Sequence, residues 1–458
     1  MRLDVITQRA HPAQSLKRLP QLNYIMNQKH VVIDPIHGKI EMPQWLIRIK
    51  DRAPIRRMMN IKQLGLKAFI DFPGAIHTRY LHSLGTMFLA GKLTDLLIKK
   101  EESRSSARAA LKENLKNNRN SLMAAGFFHD IGHGPYSHVM DYVLESEFKL
   151  NHELITTKVV KRFTAELEDD SIPINHVNKI ITRKHRYPFL WGMINGPLDV
   201  DKVDYVLRDS YHVGLRYSFD LDHFFDQMAI LGADDELERC ELGLEKDLKA
   251  IVCAELFLLL WKSMYDLVYL VQSSRIAEKM LEKAILCAVR TGCSIKDEII
   301  DLDKYLELDE SKLADELIKC GGYPKDVSIM LETADLYIPV FNQELAVFNT
   351  NTKFVRDVQK TEDKVSDKIS QRLSNLSSKP YSIICDIVKT KVPKDIHIDE
   401  KDVNGEPYEI KQKSEISRAI AQPKIFLKVY IHPTLRQDKK FLREKFIKIK
   451  TQSIIDGW

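Results

Sequence analysis

The segment FFHDIGHGPYSHVMD, residues 127–141, combines three histidines and two aspartates with two glycines and a proline. The glycines and the proline end the helix that the preceding apolar residues predict, so His129 and Asp130 are presented together at a helix end. His133 follows four residues after His129, which places both imidazoles on one side if the last helical turn persists. A second helix is predicted after the proline, where Ser137 is suited to act as its cap.

A metal ion needs four or more ligands, and the His-Asp pair supplies only two. Two partners stand out elsewhere: His82, which opens an apolar helix in HTRYLHSLG, and Asp201 in LDVDKVDYVLRDSYH. In the second stretch Asp201, Tyr205 and Asp209 share one helix face. Two imidazoles and two carboxylates suit Mn, Fe, Zn or, less well, Mg. Taken alone, each residue is more simply a helix-end cap or a solvated side chain, because short motifs have many false positives.

Long segments with apolar residues at helical spacing predict a mainly α protein. The clearest of these segments are 81–100, 121–132 and 255–289. Charged stretches at 99–120 and 359–380 indicate solvated helix faces or surface insertions. After Pro380, β-branched and alternating runs with the turn VNGEP predict strands. We therefore predict a helical body with a small C-terminal α+β lobe, divided into an N-terminal extension (1–29), a helical catalytic core (30–300), a helical connector (301–379) and the lobe (380–458).

The composition restricts the class of protein. The formal net charge of +5 over 458 residues is too mild to predict nucleic-acid binding by itself. The six cysteines lack zinc-type spacing and are predicted to be reduced thiols of a cytosolic protein. The most apolar run, AELFLLLW, is shorter than the roughly 20 residues that span a bilayer, and the N-terminus lacks the pattern of a signal peptide. We expect a soluble, cytoplasmic protein.

Five stretches of the sequence match one known family in order. They are DPIHGKIEM (34–42), IKQLGLKAFIDFPGAIHTRYLHSLGTMFLAGKL (61–93), HDIGHGPYSHVMD (129–141), NHE (151–153) and DVDKVDYVLRDSYHVG (199–214). Through them the chain resembles the HD-domain phosphohydrolase superfamily, and within it the deoxynucleoside triphosphate (dNTP) triphosphohydrolases typified by the mammalian SAM-and-HD-domain enzyme and its prokaryotic relatives. Weaker similarity extends over MYDLVYLVQSSRIAEKML (264–281) into the C-terminal lobe, and we expect no preceding SAM domain.

The resemblance implies one divalent transition metal, Mn, Fe or Zn, with additional Mg as an option. Its ligands would be His82, His129, Asp130 and Asp201. Family members cleave between the 5′ oxygen and the α-phosphorus and release nucleoside and triphosphate. A bound cation can polarise a phosphoryl oxygen and lower the pKa of the attacking water.

The resemblance also implies the acid–base groups. His138 would be the general acid that protonates the leaving 5′ oxygen, oriented by Asp141. His133 and His152, the latter paired with Glu153, would surround the scissile phosphate.

Substrate contacts follow from the same resemblance. Arg79, Lys202 and Tyr269 match residues that contact substrate. Arg79 and Lys202 would contact its phosphates. Without the resemblance, each cation would more simply form a surface ion pair.

For the sugar, Gln63 and Asp209 match the groups that hold the 3′-hydroxyl. Tyr205 matches a tyrosine that packs on the ribose and, with Leu64, excludes a 2′-hydroxyl. Apart from the resemblance, Leu64 is simply a core residue.

The sequence departs from the family at positively charged positions. Gln272 stands where prokaryotic relatives carry a lysine, and Trp261 occupies the position of an arginine. These losses predict weaker triphosphate binding or another preferred phosphate ester, unless Lys262, Arg275 or an inserted basic segment substitutes.

At the position of the mammalian regulatory site Asp51 is kept, but Arg56 and Met59 replace the other guanine-reading residues. Methionine cannot donate a hydrogen bond to a base, so guanine-nucleotide activation of that form is not expected.

Three functions are distinguished. The leading hypothesis is hydrolysis of dNTPs, and the runner-up is hydrolysis of another nucleotide: a ribonucleotide, a modified nucleotide or a monophosphate. The third is nucleic-acid binding or nuclease activity, suggested by the basic tail 434–450. That tail is more simply an amphipathic helix with Phe441, Phe446 and Ile449 on one side. The resemblance further suggests a homo-oligomer, dimer or tetramer, with a regulatory nucleotide, and a role in dNTP-pool control or antiviral defence.

Overall fold

The structure is a computed structural model that describes residues 30–103, 108–232, 234–345, 381–401 and 407–448. It is mainly helical, as predicted. The α-helices are α1 (Gln44–Ile49), α2 (Ala53–Arg57), α3 (Lys67–Ile70), α4 (Arg79–Ser103), α5 (Ala109–Phe128), α6 (His138–Val143), α7 (His152–Val160), α8 (Thr164–Glu168), α9 (Ile174–Ile181), α10 (Pro188–Asn195), α11 (Val200–His212), α12 (Leu221–Asp226), α13 (Leu248–Met264), α14 (Gln272–Arg290), α15 (Ile295–Ile300), α16 (Leu302–Tyr305), α17 (Glu310–Cys320), α18 (Gly322–Glu332), α19 (Ile410–Lys413), α20 (Glu415–Ile420) and α21 (Lys439–Lys448).

Short helices of other types and nine strands complete the described chain. The 3-10 helices are Met58–Asn60, Lys161–Phe163, Asp234–Arg239 and Pro433–Asp438, and the π-helices are Leu144–Phe148 and Tyr265–Tyr269. The strands are β1 (Val31–Asp34), β2 (Gly38–Glu41), β3 (Met228–Leu231), β4 (Glu241–Leu244), β5 (Ile338–Leu345), β6 (Ile383–Lys389), β7 (His397–Lys401), β8 (Pro407–Glu409) and β9 (Ile425–Ile431).

The long helices α4 and α5 form the centre of the helical body. Leu84 and Leu93 of α4 and Leu122 of α5 are fully buried in one large apolar core. The charged stretch 99–120 falls on the ends of both helices, which agrees with its interpretation as solvated helix faces. Helix α11 packs against α4, so the polar residues of all three helices can meet.

The segment 127–141 forms a helix end and a helix start, as its glycines and proline predict. Helix α5 ends at Phe128, and the next residue, His129, donates its backbone N–H to Ala125. Helix α6 begins at His138. The prediction that the Ser137 side chain caps α6 is wrong: its hydroxyl accepts a hydrogen bond from Arg79 Nε at 3.0 Å, and it forms no cap.

The predicted helix over 255–289 is two helices, α13 and α14. A π-helical turn and an extended Val271 separate them. Such turns frequently occur at functional sites, because they redirect side chains that a regular helix would place elsewhere. Here the turn carries Tyr265 and Tyr269.

The strands of the C-terminal lobe belong to two sheets. One has the order β5-β9-β6, and the other has the order β3-β4-β7-β8, in which β4 pairs with β7 in parallel at Leu244 and Ile398. Strands β1 to β5 were not predicted, and β5 lies within the predicted helical connector. The lobe thus shares a sheet with residues 228–244 of the helical body.

Several predictions concern residues at or beyond the limits of the described chain. The extension 1–29, the stretch 359–380 and most of the turn VNGEP lie outside the described residues. The tail helix is present as α21, and the predicted burial of Phe441 is wrong: Phe441 is 46% exposed, whereas Leu442 is fully buried. The side chains of Phe446 and Ile449 lie outside the described part of the chain. Among the described residues, no helix is both long enough and apolar enough to pass through a lipid bilayer.

Candidate active site

Helix α4, the end of α5 and the start of α11 bring three of the predicted metal ligands together. His82 Nε2 lies 3.2 Å from His129 Nε2 and 3.0 Å from Asp201 Oδ1, and His129 Nε2 lies 3.4 Å from the same Asp201 oxygen. The fourth residue, Asp130, approaches His129 Nε2 to 3.3 Å and His82 Nε2 to 3.6 Å. Ligands of one metal at about 2.1 Å are themselves separated by about 3 to 3.5 Å, so this set fits a single ion.

The second nitrogen of each imidazole shows which tautomer is held. His82 Nδ1 lies 2.7 Å from a carboxylate oxygen of Asp204, and His129 Nδ1 lies 2.8 Å from the carbonyl oxygen of Gly126. Each Nδ1 therefore carries a hydrogen, and the two Nε2 lone pairs face each other. Two facing lone pairs repel unless a proton or cation lies between them, which is the arrangement of a metal site.

The electrostatic environment favours a positive charge at this point. Burial disfavours a charged His82 ring, but hydrogen bonds to Asp201 and Asp204 outweigh burial and raise the pKa of His82 to about 10. Burial likewise opposes ionisation of Asp130 and Asp204, yet neighbouring cationic groups hold the pKa of both carboxyls well below the usual range. Asp130 is thus an ionised candidate ligand, and Asp204 is an ionised partner of the His82 ring.

A buried network supports His82 from behind. Asp204 also lies 2.6 Å from His37 Nε2 and accepts two hydrogen bonds from Arg208, which in turn donates to Asp34 at 2.7 Å. Arg208, Asp204 and Asp34 are all at most 2% exposed. The network joins the β1–β2 hairpin to α4 and α11 and fixes the ring orientation of His82.

Gly85 makes room for this network. It lies one helical turn after His82 on α4, and a Cβ atom there would come within 1.9 Å of Asp204 Oδ1 and 2.4 Å of Arg208 Nη2. Any side chain at this position would displace the ion pair. Position 85 therefore requires glycine, because Asp204 and Arg208 approach its backbone closely.

The remaining imidazoles form a second group beside the metal ligands. His133 and His152 stack with ring centroids 3.8 Å apart, and both approach Asp141 Oδ2, at 3.2 Å and 2.9 Å. The ligand atoms of Asp130, His133 and His152 also lie close enough together to hold a cation. The four predicted metal ligands and this group therefore form one continuous polar surface.

One predicted pairing in this group is weak and another is wrong. His138 Nδ1 lies 3.9 Å from Asp141 Oδ2, within ion-pair distance but too far for a hydrogen bond, and the same oxygen lies closer to His152 and His133. The His138 side chain is instead 77% exposed. Glu153 does not pair with His152; it faces Arg183 at 3.8 Å.

The two predicted phosphate-binding cations already have partners. Arg79 is buried and contacts Asp130, and Lys202 Nζ contacts Asp199 and donates to the carbonyl oxygen of Gly196 at 2.8 Å. Burial, with the nearby Asp201 charge, raises the pKa of Asp199 to about 6 against the effect of Lys202. Both cations lie beside the candidate metal ligands: Arg79 contacts Asp130, and Lys202 follows Asp201 in sequence.

The predicted sugar-binding residues also lie together. Asp209 is held by His77 Nε2 at 2.7 Å and by the Tyr269 hydroxyl, which donates at 2.6 Å. Tyr205 accepts a hydrogen bond from Trp261 Nε1 at 3.0 Å, and its ring lies edge-on to that of Tyr269. Burial raises the pKa of both tyrosine hydroxyls, so they are neutral donors.

Gln63 and Leu64 lie on the loop before α3. The Gln63 Oε1 atom is buried and has no hydrogen-bond partner within the described chain, and Leu64 is 7% exposed. A buried acceptor without a donor costs free energy unless a ligand supplies one. Gln63 is therefore suited to receive a hydroxyl.

Several residues that support the candidate site were not predicted. Asp204 and Arg208 lie four apart on the predicted helix 200–212, which could have indicated an ion pair. Asp34 and His37 lie in the recognised stretch DPIHG but carry no local signal of their contact with Asp204. His77 was not assigned either, since its partner is 132 residues away.

Comparison with known proteins agrees with this geometry. A family model described as the HD domain matches residues 79–206, and one described as the HD-associated region matches residues 235–455. This chain is an HD-domain protein. The HD domain contains all four candidate metal ligands, while the HD-associated region contains Trp261, Tyr265 and the C-terminal lobe.

Curated relatives share about 30% of their residues with this HD-domain protein. An uncharacterized protein of Methanocaldococcus jannaschii, MJ1154, is 30% identical over 300 residues, which are 64% of this chain and 58% of the relative. Deoxynucleoside triphosphate triphosphohydrolase SAMHD1 is 34% identical over 260 residues in Bos taurus and 31% over 262 residues in Homo sapiens. These matches cover 49% of this chain and 42% and 40% of the two relatives. The chain therefore matches about half the length of these relatives.

Proposed function

We propose that this HD-domain protein is a metal-dependent phosphohydrolase that converts dNTPs to deoxynucleoside and triphosphate. The observation that carries the proposal is the meeting of the His82 and His129 lone pairs with the Asp130 and Asp201 carboxylates. The matched SAMHD1 relatives, named as dNTP triphosphohydrolases, support the choice of substrate.

The metal would be Mn, Fe or Zn, held by His82, His129, Asp130 and Asp201. When bound, it supplies positive charge that polarises a phosphoryl oxygen and lowers the pKa of nearby water. Two imidazoles and two carboxylates are a donor set that these ions accept.

The chain's own residues position the reactants. Water attacks the α-phosphorus, the bond from phosphorus to the 5′ oxygen breaks, and that oxygen takes up a proton. His138 is exposed and so can reach the leaving oxygen as proton donor. Asp141 holds His133 and His152 side by side, where both rings can donate to phosphate oxygens. Arg79 and Lys202 add positive charge at the phosphates.

Sugar selection would depend on the residues around Asp209. Its carboxylate retains acceptor capacity beside His77 and Tyr269, and the unpartnered Gln63 Oε1 offers an alternative acceptor for the single hydrogen of a 3′-hydroxyl. Tyr205 and Leu64 would fill the space beside the 2′ carbon. An unmatched hydroxyl against these side chains would be disfavoured.

Hydrolysis of another nucleotide is the second candidate. Trp261, which stands at the position of the family arginine, is 4% exposed and donates its only polar hydrogen to Tyr205. This part of the candidate site therefore offers no positive charge to a phosphate. For the assembly, we extend the proposal to a homo-oligomer with a regulatory nucleotide and a role in dNTP-pool control or antiviral defence. Light scattering with and without nucleotides tests the assembly, and a monomer under every condition would contradict it.

The test is a panel of the four dNTPs and four ribonucleotides, singly and mixed, with Mn, Fe or Mg. Chromatography separates nucleoside, mono- and diphosphate, and triphosphate. Deoxynucleoside and triphosphate in equal amounts are expected, and both His129→Ala and Asp130→Ala should abolish them. Release of phosphate or diphosphate, or consumption of ribonucleotides alone, would overturn the substrate assignment while keeping the metal site.

A further inference from the structure

The proposed substrate carries more charge than the helical body neutralises. A nucleoside triphosphate has about four negative charges at neutral pH, and phosphate sites compensate such charge with Lys and Arg. Arg79 and Lys202 are each already in contact with a carboxylate. Neither Trp261 nor Gln272 is a cation. The proposed divalent metal would offset part of this charge, and further positive charge from elsewhere in the chain would strengthen binding of the substrate.

The segment between β6 and β7 of the C-terminal lobe crosses beside the site. Lys391 Nζ lies 5.6 Å from the centroid of the Tyr265 ring. That ring packs edge-on against Tyr269 at 4.9 Å, and Tyr269 bonds Asp209. An ammonium over an aromatic face is stabilised there without being neutralised, so its charge remains available to an anion.

Lys394 of the same segment lies beside Lys202. Its Nζ donates to the carbonyl oxygen of Asn195 at 3.1 Å, while Lys202 Nζ donates to the next carbonyl, that of Gly196, at 2.8 Å. Burial and then the charge of Lys202 lower the pKa of Lys394, as expected for two ammonium groups that share one region.

Neither lysine is neutralised by the protein. Within the described chain, no carboxylate lies within ion-pair distance of Lys391 or Lys394, whereas Lys411 and Lys413 of the same lobe pair with Asp395 and Glu400. The positive charge of Lys391 acts on the exposed ring of His138, the proposed proton donor. Lys391 thus lies near His138 as well as near the tyrosines.

We propose that Lys391 and Lys394 are substrate-binding residues that extend from the C-terminal lobe to the phosphates of the bound nucleotide. The assignment rests on the proposed function, which supplies the triphosphate. Lysine suits this position because its flexible stem lets an ammonium follow a phosphate that moves during the reaction. The basic segment would replace the charge that Trp261 and Gln272 lack.

Binding of inorganic tripolyphosphate to the full-length, metal-loaded protein tests the assignment without requiring turnover. Calorimetry would compare the parent protein with Lys391→Ala, Lys394→Ala and the double variant. The matched control is Lys440→Ala, which removes the same charge from an exposed helix of the same lobe. Thermal unfolding of each variant establishes that it is folded.

We expect the double variant to weaken tripolyphosphate binding about tenfold or more, and the salt dependence of binding to become shallower. For nucleotide hydrolysis, KM should rise more than kcat falls, and Lys391→Arg should restore binding in part. An equal Kd for the double variant and Lys440→Ala, or no binding to the parent protein, would overturn the assignment.

The two proposals fail separately. Lysine-dependent tripolyphosphate binding without hydrolysis of any nucleotide would remove the proposed reaction and keep the phosphate site. Hydrolysis of dNTPs that is unchanged in the double variant would keep the reaction and remove the lysines from it.

Discussion

Asp204 contacts His82 and His37 and is held in turn by Arg208. Asp204→Asn keeps the size of the side chain but weakens its hold on the His82 N–H. Because such outer partners fix ring orientation, metal affinity should fall about 10- to 100-fold. Mn²⁺ titration monitored by electron paramagnetic resonance measures this directly. Asp226→Asn, an exposed carboxamide exchange, should leave the affinity unchanged; equal affinities for the two variants would contradict the supporting role of Asp204.

Gly85 gives a second test at single-residue level. Gly85→Ala would place a methyl group on the Asp204–Arg208 ion pair, so we expect the free energy of unfolding to fall by about 3 kcal/mol. Gly91→Ala on the same helix meets the flexible side chains of Met123 at 3.2 Å and Arg119 at 3.5 Å, which can move aside, and should raise the free energy of unfolding by up to about 1 kcal/mol. Denaturant unfolding measures both variants. If Gly85→Ala is as stable as the parent protein, the close packing at Gly85 is contradicted.

The link between helices α9 and α10 contains a pH-sensitive element. His185 is 8% exposed, its Nδ1 accepts a hydrogen bond from the Tyr187 N–H, and burial followed by the charge of His176 lowers its pKa to about 4. In the unfolded chain the ring has a pKa of about 6.5. Between these values the unfolded state binds the extra proton, so stability is complete above about pH 6.5 and is lost as the pH falls towards 4.

His185→Gln removes this titration. Between pH 7 and pH 4, the free energy of unfolding should fall by up to about 3 kcal/mol more in the parent protein than in the variant. Each tenfold difference in proton affinity between the folded and the unfolded chain contributes about 1.36 kcal/mol. Urea unfolding across that range measures the difference. His223→Gln, at an exposed histidine, should follow the parent curve, and parallel curves for His185→Gln would show that His185 does not titrate in this way.

Part of the candidate site could be predicted from the sequence because it depends on single helices. The face of α11 that carries Asp201, Tyr205 and Asp209 follows from helical spacing, and the helix end at Phe128 follows from glycine and proline. The π turn at Tyr265–Tyr269 could not be predicted, because a regular apolar repeat continues through it. Nor could the roles of Ser137 and Asp141 be predicted, since each is decided by competition between partners that are close only in the fold.

Across the whole molecule, the β3-β4-β7-β8 sheet joins the lobe to the helical body. Long-range pairing of this kind leaves no local pattern, which is why the short buried strand MAIL was not recognised. Because Ile398 is 2% exposed and pairs with Leu244, body and lobe should unfold together. Calorimetry should show one transition. Ile398→Ala should lower the free energy of unfolding of body and lobe together by about 2–5 kcal/mol.

Val392→Ala, at a 37% exposed position of the same lobe, provides the comparison and should have little effect. Two separate transitions, with only the lobe responding to Ile398→Ala, would contradict a shared sheet that couples the two parts.

The parallel pairing of β4 with β7 also has a consequence for biosynthesis. When residues 241–244 leave the ribosome, their partner at Ile398 has not yet been made. The edge of β4 that later pairs with β7 is therefore unpaired, and accessible to other chains, until the last part of the polypeptide emerges. Premature termination or slow translation after β4 would leave that edge exposed, so nascent chains of this protein should depend on chaperones more than finished ones.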